Sequence, residues 1–398
     1  MSAFRSVPTL DIDPFSDEFL ADPFSQLALV REVGPVVWLE RYGIWGLGRH
    51  DEVFATLIDP ETFISSAGVG IADFRREPPP RPPSIILEAD PPLQTRTHRI
   101  LARVLSPAAL RSMRAAFETE AESLVDRILE RGAIDGVQHI ARAFPLKVFS
   151  DALGLPDDGR EILAVYGNMV FNFFGPHNAR FERAMAMAPA VGKAVMALCE
   201  RSAVKPDGLA ASVFEAHDAG ECSYAEAGML VRSLLSAGLD TTICSIACAL
   251  VCFARFPDQW DRVRADPGIA RNAFDEVVRF ESPVQTFFRT VAKPVTIGDI
   301  ELPDGAKVLM FFASANRDPR KWDDPDVFDV TRKTGPHVGF GAGIHRCVGE
   351  MLSKLEGEIL IRALARRVAR FELTAEPVPL YNNTLRGYEN IPLAVSPS

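Results

Sequence analysis

The chain contains the segment Phe340-Gly341-Ala342-Gly343-Ile344-His345-Arg346-Cys347-Val348-Gly349, in which glycines surround a single thiol. Glycine adopts positive φ angles and lets a flat ligand approach the backbone closely. A helical pattern begins directly after Cys347, so a thiolate at this position receives backbone N–H groups and the positive end of a helix dipole. The segment therefore predicts a thiolate that is exposed to a large planar metal cofactor.

Simpler explanations exist for these residues. A lone cysteine is most often a small buried apolar residue, and glycine-rich segments are commonly turns. A hydrolytic zinc site built from Cys347 and His345 would need further ligands, and none is near them in sequence. Against these alternatives, every constrained position of the pattern F-G-x-G-x-H-x-C-x-G is filled.

The same pattern resembles the haem-binding loop of the cytochrome P450 family, in which the cysteine sulfur is the axial ligand of the iron. The resemblance implies haem b (iron protoporphyrin IX) as the cofactor and Cys347 as its metal ligand. It assigns Phe340, Gly341 and His345 to cofactor contact. It also implies the fold of that family, with the haem between a long central helix and the cysteine loop.

Composition indicates a globular chain that is long enough to bury a cofactor. It has 398 residues, of which 47% are hydrophobic and 24% charged, and we expect a single domain over residues 1–398. The net charge of −10 disfavours binding to nucleic acid or to an anionic membrane. The longest clean apolar run, 243–254, is too short to span a bilayer, and the N-terminus does not resemble a signal peptide. We therefore expect a cytoplasmic protein.

The remaining cysteines show no spacing typical of a zinc site. They are Cys199, Cys222, Cys244, Cys248 and Cys252. The last three recur every four residues and would share one face of a helix, where small apolar packing explains them better than a metal does. A reducing compartment without disulfides is expected.

Hydrophobic periodicity predicts a mainly α-helical protein with a minor β portion. Helical patterns fill most of residues 106–256. Segments 36–38 and 44–47 are expected to pair as strands. Segments 295–300 and 307–312 flank Pro303-Asp304-Gly305, a turn signal that predicts a hairpin between them.

One helix is predicted to cross the whole molecule. A capping box, Ser223-Tyr224-Ala225-Glu226, begins it, and the pattern runs to Phe256 before Pro257. Its middle, Ala237-Gly238-Leu239-Asp240-Thr241-Thr242, combines glycine with hydroxyl residues that weaken and bend a helix. The resemblance places the family's acid–alcohol pair at Asp240 and Thr241, the catalytic residues that would deliver protons for dioxygen activation. The alternative is a surface aspartate beside packed threonines.

Other family motifs lie on either side of this helix. Glu276 and Arg279, on a helix expected between Asp266-Pro267 and Ser282-Pro283, match a structural E-x-x-R motif that would hold segment 322–328. Arg289 and His345 occupy positions that bind the haem propionates in the family. The segment 89–98 departs from the usual D-P-P-x-H-T-R-x-R pattern, so that Gln94 and His98 become the implied hydrogen-bond donors there.

Within the family, the resemblance is strongest to bacterial enzymes that oxidise para-substituted benzoic acids, notably 4-methoxybenzoate O-demethylases. Matching stretches are residues 13–15, 81–84, 171–176, 232–236, 281–290 and 382–387. The implied donors to the substrate carboxylate are Arg81, Ser84, Arg232 and Ser233, and the implied aromatic walls are Phe171, Phe174 and Phe287. Solvated arginines and core phenylalanines are the ordinary alternative.

The reaction implied is a monooxygenation that uses dioxygen and two electrons. Hydroxylation of a methoxy group would release formaldehyde and leave a phenol. No flavin or iron–sulfur motif is present, so an iron–sulfur ferredoxin with an NAD(P)H-dependent reductase is the expected electron source, and the chain is expected to be a monomer. Basic residues after the cysteine loop form either a docking face or solvated helix charges: Lys354, Arg362, Arg366 and Arg367. The alternative functions are a peroxide-driven peroxygenase and a haem-thiolate sensor or carrier.

Overall fold

The computed structural model describes residues 7–398, and these are mainly α-helical. The α-helices are α1 (Asp17–Ala21), α2 (Phe24–Val33), α3 (His50–Ile58), α4 (Leu93–Val104), α5 (Pro107–Arg131), α6 (Ala143–Leu153), α7 (Glu161–Asn172), α8 (Ala179–Leu198), α9 (Leu209–Asp218), α10 (Tyr224–Ala237), α11 (Asp240–Arg255), α12 (Pro257–Ala265), α13 (Ala270–Glu281), α14 (Phe312–Ala315) and α15 (Glu350–Arg367). The predicted fold class is confirmed.

The β portion is small and divided among separate sheets. The strands are β1 (Thr9–Leu10), β2 (Val37–Leu39), β3 (Ile44–Leu47), β4 (Phe63–Ile64), β5 (Ala133–Asp135), β6 (Thr286–Val291), β7 (Val295–Ile297), β8 (Ile300–Leu302), β9 (Lys307–Phe311), β10 (Val368–Leu373), β11 (Val378–Pro379), β12 (Tyr388–Asn390) and β13 (Pro392–Pro397). The largest sheet has the order β1-β2-β3-β9-β6-β4, and the others have the orders β10-β13-β5, β11-β12 and β7-β8.

The pairing of two early strands is confirmed, whereas the later hairpin prediction is wrong. Strand β2 pairs antiparallel with β3, as expected. Strand β7 pairs with β8 across a turn at Gly298, whose φ is +60°. Strand β9 instead lies between β6 and β3 in the large sheet. The turn at Pro303-Asp304-Gly305 exists, but it connects β8 of the small sheet to β9 of the large one.

The predicted central helix is divided at its middle. Ser223 forms the capping box at the start of α10, which ends at Ala237, and α11 begins at Asp240. The Thr241 hydroxyl donates a hydrogen bond to the Ala237 carbonyl at 2.8 Å, so it satisfies a group that the interruption would leave free. A Cβ on Gly238 would lie 2.4 Å from the Phe149 ring, which explains a glycine at the break.

Helices α10 and α11 form the interior of the protein. The stretch Tyr224–Arg255 is long and apolar enough to cross a membrane by length and composition, but 78% of its apolar window is buried inside the protein. Cys244, Cys248 and Cys252 are buried and free, as the packing interpretation predicted. Within residues 7–398, no cluster of three or more potential metal-ligating His, Cys, Asp or Glu side chains is present.

A buried ion-pair network on α13 holds the chain that leads to the cysteine loop. The Arg279 guanidinium forms two hydrogen bonds of 2.7 Å with the Glu276 carboxylate. It also donates to the carbonyls of Asn316 and Pro325 at 2.9 Å. Glu276 accepts a further bond from Arg332 at 3.2 Å. The predicted tie between this helix and segment 322–328 is confirmed.

Candidate functional site

The cysteine loop is shaped by glycines and ends at a helix. Gly341 and Gly343 have φ angles of +69° and +65°. A Cβ on Gly343 would lie 2.5 Å from the Leu57 carbonyl oxygen, so no other residue fits there. The Cys347 backbone N–H donates to the Phe340 carbonyl at 2.9 Å, and α15 begins at Glu350. The Cys347 side chain is accessible from the space it faces, but desolvation by the surrounding protein raises the pKa of its thiol to about 11, while the N–H groups of Gly349 and Glu350 oppose that increase.

The Cys347 side chain faces a cavity of about 240 Å³. Most predicted site residues lie in its lining, namely Arg81, Ser84, His98, Phe171, Phe174, Arg232, Ser233, Thr241, Phe287, Arg289, Phe340, Gly341, His345 and Cys347. Gln94 and Asp240 do not lie in the lining. The chain thus brings side chains from distant segments to one cavity.

Polar atoms near the loop have few partners in the part of the chain that the structure describes. Arg289 is buried, and within residues 7–398 its guanidinium makes a single hydrogen bond, to the Phe288 carbonyl at 2.9 Å. Burial lowers the pKa of Arg289 to about 10. The His345 ring nitrogen Nε2 is also buried without a partner among the described residues. Burial and the nearby Arg289 lower the pKa of His345 to about 3, so the ring is neutral.

These groups fit the cofactor that the sequence implies. A haem carries anionic propionates, and Arg289 and His345 offer an uncompensated cation and a free ring nitrogen to them. Because Phe287 and Arg289 are alternate residues of β6, they lie on the same face of the strand. Cys347 offers a thiol in the same cavity, and bound iron would stabilise its deprotonated form.

Gln94 and His98 contact the cysteine loop from α4. The Gln94 amide nitrogen donates to the Ile344 carbonyl at 2.5 Å, and the side chain is buried beneath the loop. The ring nitrogen Nε2 of His98 lies 3.1 Å from the Arg346 carbonyl oxygen. Of the two, His98 reaches the cavity, whereas Gln94 supports the loop backbone from outside it.

Asp240 and Thr241 begin α11 and point to different surroundings. Thr241 lines the cavity. The Asp240 carboxyl packs against α7, where a Cβ on Gly167 would lie 2.1 Å from its oxygen Oδ2. That oxygen has no hydrogen-bond partner among the described residues. Burial raises the pKa of Asp240 well above its ordinary value and so favours the protonated form of the carboxyl.

The predicted carboxylate donors lie together on one wall of the cavity. The hydroxyl oxygens of Ser84 and Ser233 are 3.3 Å apart. Arg232 donates from Nη2 to the carbonyls of Pro82 and Pro83, both at 3.0 Å. Burial lowers the pKa of Arg232. Arg81 is held by a carboxylate, that of Glu88.

The predicted aromatic walls form one cluster. The ring centroids of Phe171 and Phe174 are 5.8 Å apart, and those of Phe174 and Phe287 are 5.6 Å apart. The Arg81 guanidinium lies 5.6 Å from the centroid of the Phe174 ring. The aromatic cluster therefore adjoins the wall that carries Arg81 and Arg232, which we call the cationic wall.

Sequence reasoning missed two carboxyl groups of the site. Glu88 pairs with Arg81, and no local pattern around it signals this. Glu356 lies on α15 in the lining of the cavity, and both of its carboxyl oxygens lack partners among the described residues. Burial raises the pKa of Glu356 well above its ordinary value. A glutamate within a helical, partly apolar stretch carries no signal that distinguishes it from a solvated one.

The hypothesis of a basic docking face after the cysteine loop is wrong for Lys354. Its ammonium is buried and lies 2.8 Å from Asp275 and 2.9 Å from Glu350. Arg362 pairs with Glu358 on the same helix. Arg366 and Arg367 pair with Glu122 and Asp126, which connects α15 to α5. Spacing along a helix predicts which residues share a face, but the partners on the neighbouring helix determine whether that face is free.

The chain resembles known proteins along nearly its whole length. Residues 269–385 match the family model of cytochrome P450. Cytochrome p450 CYP199A2 from Rhodopseudomonas palustris is 51% identical over 98% of this chain and 95% of its own. The 6-deoxyerythronolide B hydroxylase from Saccharopolyspora erythraea is 30% identical over 98% of each chain. The solved structure of cytochrome P450 CYP109Q5 from Chondromyces apiculatus is 27% identical, covers 98% of this chain and 99% of its own, and has a TM-score of 0.82.

These similarities, with a cysteine loop and a cavity of the expected form, define the class of protein. The chain belongs to the cytochrome P450 family. It is a monooxygenase, an oxidoreductase that uses dioxygen and electrons from a redox partner, and its cofactor is haem b.

Proposed function

We propose that this cytochrome P450 oxidises the para substituent of benzoic acids, for example by O-demethylation of 4-methoxybenzoate. The observation that carries the proposal is one cavity lined by Cys347, by three neighbouring phenylalanines, and by the basic and hydroxyl groups of Arg81, Ser84, Arg232 and Ser233. A carboxylate suits the polar wall, and a flat ring suits the aromatic one. A neutral apolar substrate would leave a buried cation without a counter-charge.

Different residues of the chain would bind the substrate and the haem. Arg232 with the two serines would bind the carboxylate, and Phe171, Phe174 and Phe287 would hold the ring, so that only the para end faces the reactive centre. Cys347 would ligate the iron, with Arg289, His345 and His98 at the haem propionates and Gln94 supporting the loop. Haem, when bound, supplies the iron at which dioxygen is activated with two electrons.

Proton delivery would pass from Asp240 to Thr241. Asp240 is buried, which raises its pKa and favours its protonated form, and Thr241 is the next residue on α11 and lines the cavity. A hydroxyl group both accepts and donates a proton, so Thr241 would pass a proton into the cavity. Asp240 would then take up a new proton from water. Arg142, whose positive charge opposes the increase in the pKa of Asp240, pairs with Glu161.

We further propose that the chain works as a cytoplasmic monomer, with residues 1–398 as one domain. Its electrons would come from an iron–sulfur ferredoxin with an NAD(P)H-dependent reductase.

The decisive experiment is a titration of the haem-loaded protein with 4-methoxybenzoate while the Soret band is followed. We expect a low- to high-spin shift, with no equal shift from 4-methoxybenzamide. Turnover with ferredoxin, reductase and NADH should then release formaldehyde and 4-hydroxybenzoate. Absence of the shift would refute the substrate class, and equal turnover with peroxide alone would favour a peroxygenase.

A second experiment tests the metal ligand. Reduced protein treated with carbon monoxide should show the far-shifted absorption of thiolate-ligated haem, and Cys347→Ala should lose it. Cys244→Ala, which removes a buried thiol outside the cavity lining, is the matched control and should keep it. Persistence of the signal in Cys347→Ala would remove Cys347 from the iron.

A further inference from the structure

The Glu88 carboxylate lies against the Nη1 and Nη2 groups of Arg81, at the edge of the guanidinium where a free anion would otherwise bind. Its oxygens accept hydrogen bonds from Arg81 Nη1 at 2.9 Å and from Nη2 at 3.2 Å. A third bond comes from the Ser84 backbone N–H at 2.7 Å. The carboxylate side chain is 1% exposed. A bidentate pair of this kind is the arrangement in which an arginine binds a free carboxylate.

The neighbouring arginine is not compensated in this way. Among the described residues, Arg232 has no carboxylate partner in an ion pair, and its hydrogen bonds are those from Nη2 to two neutral carbonyls. Both guanidinium groups line the cavity. Arg81 lowers the pKa of Arg232 and Glu88 raises it, so the three charges act on one another. Their sum is one positive charge, since Arg81 and Glu88 cancel.

We propose that Glu88 is a specificity-determining residue, which fills the carboxylate site of Arg81 and so limits this wall to a single monovalent anion. The proposal rests on the proposed function, in which the substrate is an aromatic acid. One carboxylate would neutralise the wall. A second negative charge would have no counter-charge, because Glu88 already takes it from Arg81, and burial without a counter-charge is costly.

The test compares three ligands that share the methoxy ring. They are neutral 4-methoxybenzamide, monoanionic 4-methoxybenzoate and dianionic 4-methoxyphthalate, and their dissociation constants are measured by spin-shift titration and by calorimetry. In the unsubstituted protein we expect the monoanion to bind most tightly, with the dianion at least about tenfold weaker. If the dianion binds as tightly as the monoanion, the proposal is overturned without any variant.

Glu88→Gln removes the charge and retains a carbonyl for the Ser84 N–H. We expect the monoanion to bind about five- to tenfold more tightly, the dianion to gain more than that, and the amide to be unaffected. In Arg81→Gln/Glu88→Gln the added positive charge is gone, and the ratio of anion to amide affinity should return toward that of the unsubstituted protein. A merely structural role of Glu88 would instead weaken all three ligands alike.

The matched control is Glu358→Gln, which removes a buried carboxylate that pairs with Arg114, Arg271 and Arg362 outside the cavity lining. It should leave all three dissociation constants unchanged. The two hypotheses fail differently. If the unsubstituted protein binds the amide as well as the acid, the proposed function is wrong. If it prefers the acid but Glu88→Gln leaves the three-ligand ratios unchanged, only the role of Glu88 is wrong.

Discussion

The network behind the cysteine loop and the cationic wall of the cavity both bury arginine side chains, but they satisfy them differently. Arg279 is surrounded by the Glu276 carboxylate and by backbone carbonyls, and Glu276 in turn accepts from Arg332. Arg232 has two neutral carbonyls and no carboxylate. A charge that the fold satisfies in full stabilises the fold, whereas a charge left without a counter-charge beside a cavity is available to a ligand.

The same contrast separates the carboxyl groups. Glu276 accepts hydrogen bonds on both oxygens, including one from the Asp329 backbone N–H at 3.1 Å. Asp240 and Glu356 each bury an oxygen without a partner among the described residues, and burial raises the pKa of both. Burial favours the protonated form of groups of this second kind, so they are poor counter-charges.

The largest effect, on the free energy of unfolding, is expected in the ion-pair network of Glu276, Arg279 and Arg332. Glu276→Ala removes the carboxylate partner of the buried Arg279 guanidinium and of the partly exposed Arg332, and the free energy of unfolding should fall by about 3–5 kcal/mol. Thermal denaturation followed by circular dichroism checks this. Glu301→Ala, at an exposed position of β8, is the control and should change little. A loss as small as that of the control would show that the network is not structural.

Asp240→Asn should reduce product formation without reducing the stability of the fold. The amide has the size of the carboxyl and fits against Gly167, so thermal stability should be retained. Product formation should fall roughly 100-fold, because an amide supplies no proton. Asp158→Asn, on the exposed surface before α7, is the control. Equal product formation in the variant and the unsubstituted protein would exclude Asp240 from proton transfer.

Arg232→Gln should show a large effect on ligand binding and a small one on folding. Loss of the uncompensated cation should raise the dissociation constant of 4-methoxybenzoate roughly 10- to 100-fold, and that of 4-methoxybenzamide much less. Arg127→Gln breaks an exposed ion pair and serves as the control. If acid and amide lose affinity equally, Arg232 shapes the cavity but does not bind the anion.

Glu356→Gln should give the smallest effect, and the size of its effect on the melting temperature depends on pH. The folded-state pKa of Glu356 lies above the ordinary value of 4.5, so its contribution to stability is complete below that value and is lost as pH rises toward the raised pKa. Glutamine does not ionise, so the melting temperature should exceed that of the unsubstituted protein by about 1–3 °C at pH 8 and by less near pH 4.5. Glu130→Gln, exposed on α5, should show no such pH dependence. A difference that does not change with pH would contradict the raised pKa.

Local patterns in the chain were sufficient to predict the cysteine loop, the capped helices and the pairing of Glu276 with Arg279, and they predicted a weakened helix near Gly238 but not its division into α10 and α11. Each depends on residues close in sequence, where backbone conformation and side-chain spacing follow from residue type. The family resemblance added the residues that would bind haem and substrate, and most of them line one cavity.

Only the tertiary structure decided which partners meet across the chain. It joined β9 to β3 and β6 rather than to β7, and it buried Lys354 between Asp275 and Glu350. It also placed Glu88 on Arg81 while leaving Arg232 without a carboxylate. The sequence lists the charges, but whether a charge is compensated depends on distances between segments, and those arise only when the whole core packs.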